Sequence, residues 1–519
     1  MTTIDTHAPA RLQAARRRLY DHLCERVESD GAIRERCGSR ILETALLLDL
    51  LRKEHTESGT QQALLAFLQQ ARPSGFLDTA FVNASLGQPV AGEELRSGLD
   101  GFRHFTGVRK RILLETLLAT LGAVPFRDCV DPGDVRQQEQ AVWTDLTLGA
   151  VRILHATHRG RHFPGLEEDR RRLTDSLSSF TAGAAWQGNV LAHLIALHAL
   201  RTFQSGGKLL RDGMRALVGT VNPDGGAPFI AGQEVWVTAL AGTALAGAGD
   251  PAAVVPRMAS YIADRQLADG GWGYDETTTQ SDVDDTSRCA VLLRLADPDT
   301  HRTRLTRADD YLLNLADPTG GWPTYVRGHD PEPDLTAGAV IALAADPHSH
   351  SKILERGVGF LLEAQRHDGT WQCSWARSQS SVITHAVQAL DASATHVSPT
   401  LRAHIRSAVT AAARRLTQTQ NPDGGWGHKE GAASDALSTA HAIPVIVRHA
   451  SPTVADRALA HLLEHQDADG GFTAPPDQVG PRPLPYNFPV LAGIHALTTL
   501  NAAGESYQNR QRQEAAVAR

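Results

Sequence analysis

Gln266-Leu-Ala-Asp-Gly270-Gly-Trp272 ends on an aromatic after a pair of glycines, and the phrase returns four more times further along the chain. The later copies are Asp317-Pro-Thr-Gly-Gly-Trp322, Gln365-Arg-His-Asp-Gly-Thr-Trp371, Gln420-Asn-Pro-Asp-Gly-Gly-Trp426 and Gln466-Asp-Ala-Asp-Gly-Gly-Phe472, with successive aromatics 50, 49, 55 and 46 residues apart. An earlier copy, Asn222-Pro-Asp-Gly-Gly-Ala227, lies 45 residues before Trp272 and lacks the aromatic. A fixed period decides the architecture ahead of any local motif. An amphipathic pattern leads into the turn, as in Val254, Met258, Tyr261 and Ile262, and another leaves it, as from Val382 to Leu390. Two helices of about 15 residues with two loops fill such a period, so each repeat reads as a helical hairpin. Glycine ends the first helix because it accepts the left-handed backbone that side chains resist. The long alternating apolar and polar runs of a sheet are missing. The expected fold is all-α, with hairpins closing into an α/α barrel whose inner helices line a central cavity.

At 519 residues the chain is about twice the size at which a single core stops growing, so two domains are expected. Residues 1–210 are helical in pattern without the regular turn. Gln69-Gln70-Ala-Arg-Pro-Ser-Gly75-Phe76 is the nearest approach there to an eroded copy, and Ser205-Gly206-Gly207 reads as a hinge between domains. The net charge of −7 offers no basic face for nucleic acid, which leaves small molecules as the expected partners. Cys24, Cys37, Cys129, Cys289 and Cys373 show no paired spacing, against both a disulfide framework and a cysteine zinc site. The longest uncharged run, Ser176 to Leu200, is broken by Gln187, Asn189, His193 and His198 and reads as a buried helix, not a membrane span. Met1 to Arg18 has no apolar core of the kind a secretory signal needs, so a cytoplasmic enzyme is expected.

Three aspartates fall within four residues in Asp282-Val283-Asp284-Asp285-Thr286, at the start of a helix expected to run through Leu293. One aspartate suffices to cap a helix. Crowded carboxylates cannot all ionise cheaply, so at least one pKa rises and a neutral carboxylic acid persists near neutral pH. Protonating a weakly basic alkene requires such an acid. Read alone, the motif leaves capping and catalysis equally open.

The acidic motif together with the Gln-Gly-Trp turns resembles the class II terpene cyclases, the family of squalene-hopene cyclases and of bacterial cyclases that make bicyclic diphosphates. The resemblance is strong from Leu210 to Leu500 and faint before that. It implies two α/α barrel domains, the smaller inserted near the start of the larger. The expected boundaries are 1–34, packing with the C-terminal barrel; 35–207, the smaller domain; 208–503, the barrel with the acidic motif; and 504–519, a frayed polar tail. It implies that Asp284 donates the proton and that Asp282 and Asp285 flank it. The resulting tertiary cation is trapped by the next double bonds when the chain is already coiled. Aromatic faces stabilise such a cation by about 0.5–2 kcal/mol per contact. Candidates outside the turns are Trp236, Trp375, Tyr486 and Phe488, each of which reads equally as a core aromatic. Trp272, Trp322, Trp371 and Trp426 sit in the turns and are expected to tie hairpins together. His385 falls early in another barrel helix, where the resemblance offers it a bond to the acid or to a water; a packed histidine is the other reading.

The chain is shorter than squalene cyclases and lacks their apolar surface segment, so a substrate with a charged end is expected. Relatives that use diphosphates hold magnesium with an acidic segment of the first domain, and Glu167-Glu168-Asp169 is the nearest candidate, with Glu168 and Asp169 as metal ligands. The spacing departs from a clean Glu-Asp-x-x-Asp pattern, and the same run reads as a solvated helix face. Lys208 and Arg211 are candidate diphosphate donors. Ionisation of the diphosphate uses Asp-Asp-x-x-Asp, and neither Asp284-Asp285 nor Asp309-Asp310 completes it. The expected reaction folds farnesyl or geranylgeranyl diphosphate into a drimane- or labdane-type bicyclic diphosphate with the diphosphate retained. A squalene-type cyclase, a protein prenyltransferase-like subunit and a non-catalytic repeat protein are the alternatives.

Overall fold

The Gly-rich turns join neighbouring helices through a recurring set of bonds. At the first, Gln266 Nε2 donates to Gly270 O and to Arg304 O, both at 2.8 Å. The second acceptor belongs to the next outer helix, Arg302–Leu315. Trp272 Nε1 donates to Ile262 O at 2.7 Å on the helix just ended, and its backbone N–H donates to Thr286 Oγ1 at 3.0 Å on the helix about to begin. Gly270 has φ of +96°, and a Cβ there would stand 2.5 Å from Arg307 O, so both conformation and space require glycine. Trp322, Trp371 and Trp426 repeat the indole bond, to Leu312 O, Leu361 O and Leu416 O. The turn tryptophans are buried and act as expected.

This computed structural model describes residues 8–90, 107–129, 132, 140–160, 164–179, 183–249 and 254–517. The chain divides into two units, one of Met1–Glu35, Gln233–Val479 and Asn487–Arg519, the other of Arg36–Gly232 and Gly480–Tyr486. In the larger unit six helices follow one another around a closed ring: Glu234–Gly247, Val283–Ala296, Pro333–Leu343, Gln379–Ser393, Ala436–His449 and Val490–Val517, the last packing on the first. Outside them lie Val255–Ala263, Arg302–Leu315, Pro347–Ala364, Pro399–Gln418 and Pro452–Glu464. The sixth outer place is taken by Ala8–Cys24. Gln466 Nε2 donates to its Ala15 O at 3.0 Å, the bond that Gln266 makes to Arg304.

The N-terminal helix ends in a copy of the turn that the sequence does not advertise. Gly31 has φ of +95° and lies against Arg257 O, while Ala32 N–H donates to Asp30 Oδ1, as Gly271 N–H does to Asp269. Ile33 N–H donates to Thr238 Oγ1 at 2.9 Å, matching the bond from Trp272 to Thr286. The chain then leaves for the smaller unit and returns at the first inner helix. Ile33 is fully buried in the tryptophan's place.

The smaller unit is a second circuit, of Ile41–Lys53, Phe76–Ser85, Gly107–Thr120, Val142–Arg159 and Val190–Arg201. Ser58–Gln70, Leu166–Ser178 and Lys208–Val218 pack outside it. Its boundary falls after Gly232, not at 207, because Leu210, Met214 and Leu217 bury themselves in this unit's core. Ser205-Gly206-Gly207 therefore joins two helices of one unit. The copy at Asn222–Ala227 belongs here too, with Gly225 packed on Ala63 O. The uncharged run from Ser176 to Leu200 is split between two helices, and the stretch after Gly504 stays helical to Val517. There Ser506 Oγ donates to Val447 O and Tyr507 OH to Asp456 Oδ1, which hold the polar turns in place. Among the described residues strand is limited to four two-residue pieces, and no helix is long and apolar enough to cross a membrane.

Candidate active site

The acidic motif opens the inner helix Val283–Ala296, pinned by bonds to two neighbouring turns. Asp282 N–H donates to Trp272 O at 2.9 Å, and Val283 N–H to Thr324 O at 3.0 Å. Asp282 caps the helix, its Oδ1 accepting from Asp285 N–H at 2.8 Å. Capping accounts for one aspartate. Asp282 and Asp285 are both buried and hydrogen-bonded side chain to side chain. Burial pushes Asp285 well up, and the neighbouring Asp282 charge adds to it. Burial also pushes Asp282 up, to about 6, with the bond from Asp285 pulling the other way. The two carboxyls titrate as a pair, both displaced upward by burial.

Asp284 differs from both flanking aspartates. Its side chain keeps 30% of its surface exposed and is bonded to neither of them. Trp236, on the inner helix Glu234–Gly247, donates from Nε1 to Asp284 Oδ2 at 2.8 Å. Arg288, one turn further along the same helix, donates from Nε to Oδ1 at 3.1 Å. The result is an accessible carboxyl held in place by two donors and flanked in the chain by two buried carboxyls.

Behind Asp284 the polar groups continue around the ring. Arg288 Nη2 lies 3.3 Å from His385 Nδ1, and that nitrogen lies 2.6 Å from Asp334 Oδ1. The shorter contact puts the imidazole proton on Nδ1, facing Asp334, so the arginine contact is an approach and not a second bond. His385 thus reaches the acid only through Arg288. Burial pushes Asp334 up, but the bond from His385 and the charge of Arg288 hold it below the ordinary carboxylate range. The rings of His441 and His495 pack 4.3 Å apart on the two inner helices that follow. Burial pushes His441 down to about 4 and His495 further, so both are neutral imidazoles. Burial, with the neighbouring Asp275 charge, raises Glu234, two residues before Trp236, to about 8.

Arg288, Asp334, His441, His495, Glu234 and Asp275 were not singled out by the sequence. The available signal was one polar side chain inside an otherwise apolar inner helix, as in Ala440-His441-Ala442-Ile443 and Ile494-His495-Ala496-Leu497. Of the aromatic candidates, Trp236 touches the acid, and Trp375 is half-buried with Nε1 3.3 Å from Thr324 Oγ1 and its ring edge-on to Tyr325. Phe488 is only 1% exposed, a core residue. Tyr486 belongs to the smaller unit, where its ring packs on Phe229 at 5.0 Å.

The expected magnesium ligands do not form a set. Asp169 is buried and accepts from Arg152 Nε at 2.8 Å, which commits it to an internal ion pair. Glu168 pairs with Arg171 and Arg172, and Glu167 with Arg170, along one face of Leu166–Ser178. Among the described residues no group of three or more His, Cys, Asp or Glu side chains is placed to hold a metal ion. Lys208 pairs with Asp212 and Arg211 with Gly206 O, both at the exposed start of a helix of the smaller unit.

A six-hairpin α/α ring with an accessible aspartate between buried ones at the head of an inner helix is the arrangement of a class II terpene cyclase. Residues 235–474 match the squalene-hopene cyclase C-terminal domain family. A drimenyl diphosphate synthase of Streptomyces showdoensis is 39% identical over 518 residues, covering 96% of each chain. Another from Streptantibioticus cattleyicolor is 36% identical, covering 95% of this chain and 96% of its own. An ent-copalyl diphosphate synthase from Streptomyces platensis shares the fold, at 17% identity and a TM-score of 0.58 over 95% of this chain and all of its own. The chain belongs to the class II terpene cyclase family and is an enzyme of that class.

Proposed function

We propose that the enzyme converts farnesyl diphosphate into a drimane-type bicyclic diphosphate, with the diphosphate left intact. Asp284 gives its proton to the terminal alkene, the two following double bonds close the rings, and the last cation loses a proton from a neighbouring carbon. One proton enters and one leaves, so the reaction is an isomerisation. The position of Asp284 supports the first step: its side chain is accessible, while Asp282 and Asp285 are buried and pushed upward. The drimane skeleton has fifteen carbons, which matches farnesyl diphosphate, and likeness along the whole chain to two drimenyl diphosphate synthases supports that length over geranylgeranyl diphosphate. Trp236 serves twice, its N–H orienting the acid and its ring offering a face to positive charge. Trp375 offers a second such face. Magnesium would accompany the diphosphate as its counter-ion; Glu167, Glu168 and Asp169 do not make a site for it, so no step is assigned to protein-bound metal.

Incubation with magnesium and either farnesyl or geranylgeranyl diphosphate, followed by phosphatase and mass analysis, tests this. A cyclic fifteen-carbon alcohol from the parent, absent with Asp284→Asn, is expected. Loss of activity should be on the order of 10²–10⁴-fold, the usual worth of a general acid. Release of inorganic diphosphate in step with cyclisation, or product from the twenty-carbon substrate alone, would overturn it.

A further inference from the structure

The loop into the last inner helix is longer than its counterparts. Residues 473–489 separate Phe472 from Val490, whereas 372–378 lead from Trp371 to Gln379 and 427–435 from Trp426 to Ala436. Gly480–Tyr486 belong to the smaller unit, and 473–479 stay with the barrel. That barrel part reaches past the fifth hairpin to pair with the loop of the fourth. Val479 N–H donates to Trp375 O at 3.0 Å, Ala376 and Gln478 form an antiparallel bridge, and Arg377 N–H donates to Asp477 O at 2.8 Å. One side chain fastens this strap. Asp477 is buried, and its Oδ1 accepts from Ser378 N–H at 2.8 Å and from Ser378 Oγ at 2.6 Å. Trp375 is thereby held from two sides: its carbonyl by the strap, and its Nε1 by Thr324 Oγ1 at 3.3 Å. The carbonyl of Thr324 in turn accepts from Val283 N–H, inside the acidic motif. The indole therefore stands at the end of the ring where the inner helices begin, the end that carries Asp284, with part of its surface free.

We propose that Asp477 is a positioning residue for cyclisation: by fastening the strap to Ser378 it fixes the loop that presents the ring of Trp375 to the substrate cation. The inference rests on the reading of the enzyme as a cyclase of farnesyl diphosphate with Trp375 in its cavity. Asp477 touches no substrate atom; it acts through the backbone of residues 375–378. A ring stabilises a cation through its face, so the effect depends on how the indole is turned, and a loop free to shift would lose it.

The test measures kcat, KM and product profile with farnesyl diphosphate, beside a thermal melt, for the parent, Asp477→Ala, Asp477→Asn, Val479→Pro, Trp375→Leu and the double variant of Asp477→Ala with Trp375→Leu. Asp477→Ala is expected to lower kcat by about 10–100-fold with KM little changed and to raise the share of early-quenched products. Asp477→Asn, which keeps an acceptor at Oδ1, should retain the parent profile. Val479→Pro removes the N–H that holds Trp375 O and leaves Asp477 in place. It should shift the profile in the same direction, and it reads the proposal if Asp477→Ala does not fold. In the Trp375→Leu background Asp477→Ala should add little, because both act through one ring. A merely structural clamp would move the melt and leave the profile alone. A folded Asp477→Ala with the parent's profile and kcat, an Asp477→Asn as impaired as Asp477→Ala, or effects that add in full to those of Trp375→Leu would overturn the positioning role. If Trp375→Leu leaves the products unchanged, the proposal falls and the acid stands. If Asp284→Asn retains activity, the cyclase reading falls with it.

Discussion

Trp236 and Asp284 meet between two adjacent inner helices, the indole N–H donating to Oδ2 at 2.8 Å while the ring keeps part of its surface free. Bond and ring can be separated by substitution. Trp236→Phe removes the N–H and keeps an aromatic face, and a lost bond to a charged or reacting group costs about 1.5–3 kcal/mol. The expected result is a fall in kcat of about 10–100-fold with the product skeleton unchanged, read by mass analysis. Trp236→Leu should lower kcat further and release early-quenched products, because the cation loses its face as well.

The carboxyl pairs give the stability a defined pH dependence. Burial raises Asp285 well above its ordinary value, Asp282 to about 6 and Glu234 to about 8. A folded state with raised carboxyl pKa values binds more protons than the unfolded chain, so its advantage is complete below about pH 4 and is lost as pH rises through those values. Thermal melts from pH 4 to 8 should show stability contributed by these groups declining with pH. Glu234→Gln should flatten the part of that decline near pH 8, and Asp282→Asn the part near pH 6. Variants that melt with the parent's slope would refute the assignment.

The turn tryptophans and Trp375 should separate by phenotype. Trp371 is 1% exposed and its indole bonds Leu361 O, so Trp371→Ala leaves a large void and an orphaned carbonyl. A loss of about 3–5 kcal/mol is expected by denaturant titration. Trp375→Ala should leave stability nearer the parent and alter the product mixture instead.

Asp169 offers a test in the smaller unit. Its side chain is fully buried against Arg152, and breaking such a pair by removing one partner costs about 3–5 kcal/mol. Asp169→Asn should therefore lower the melting temperature with or without magnesium. A variant as stable as the parent but needing more magnesium would restore Asp169 as a ligand.

The barrel was legible because its turn makes demands few residues meet: an indole N–H for the carbonyl ten residues back, and a glycine where a Cβ would strike the next helix. Where those demands relax, the signal vanishes. Asp30-Gly31-Ala32-Ile33 fills the same place with Ile33, and nothing in its composition sets it apart. The boundary near residue 207 was misplaced because an amphipathic helix such as Lys208–Val218 does not say which core it faces. Asp284 stood out through its crowded neighbours. Arg288, Asp334, His385, His441 and His495 gather from five helices, and of these only His385 was suspected. The run Glu167-Glu168-Asp169 misled for a related reason, since a carboxylate looks the same in sequence whether it awaits a cation or already has its arginine.

Ala15 and Gln466 stand 451 residues apart, yet one hydrogen bond between them closes the outer ring. Closing so long a loop costs little more than closing a short one, since the entropy grows only with the logarithm of length. The consequence lies in time. Ala8–Cys24 leaves the ribosome long before its partners Gln466 and Gly470, carrying Leu12, Leu19 and Leu23 on the face that ends up buried. Meanwhile the helices between Arg36 and Gly232 have almost all of their own unit at hand and can fold as they emerge. The nascent enzyme thus trails an uncovered apolar helix while the intervening residues are made, until the hairpin that carries Gln466 arrives.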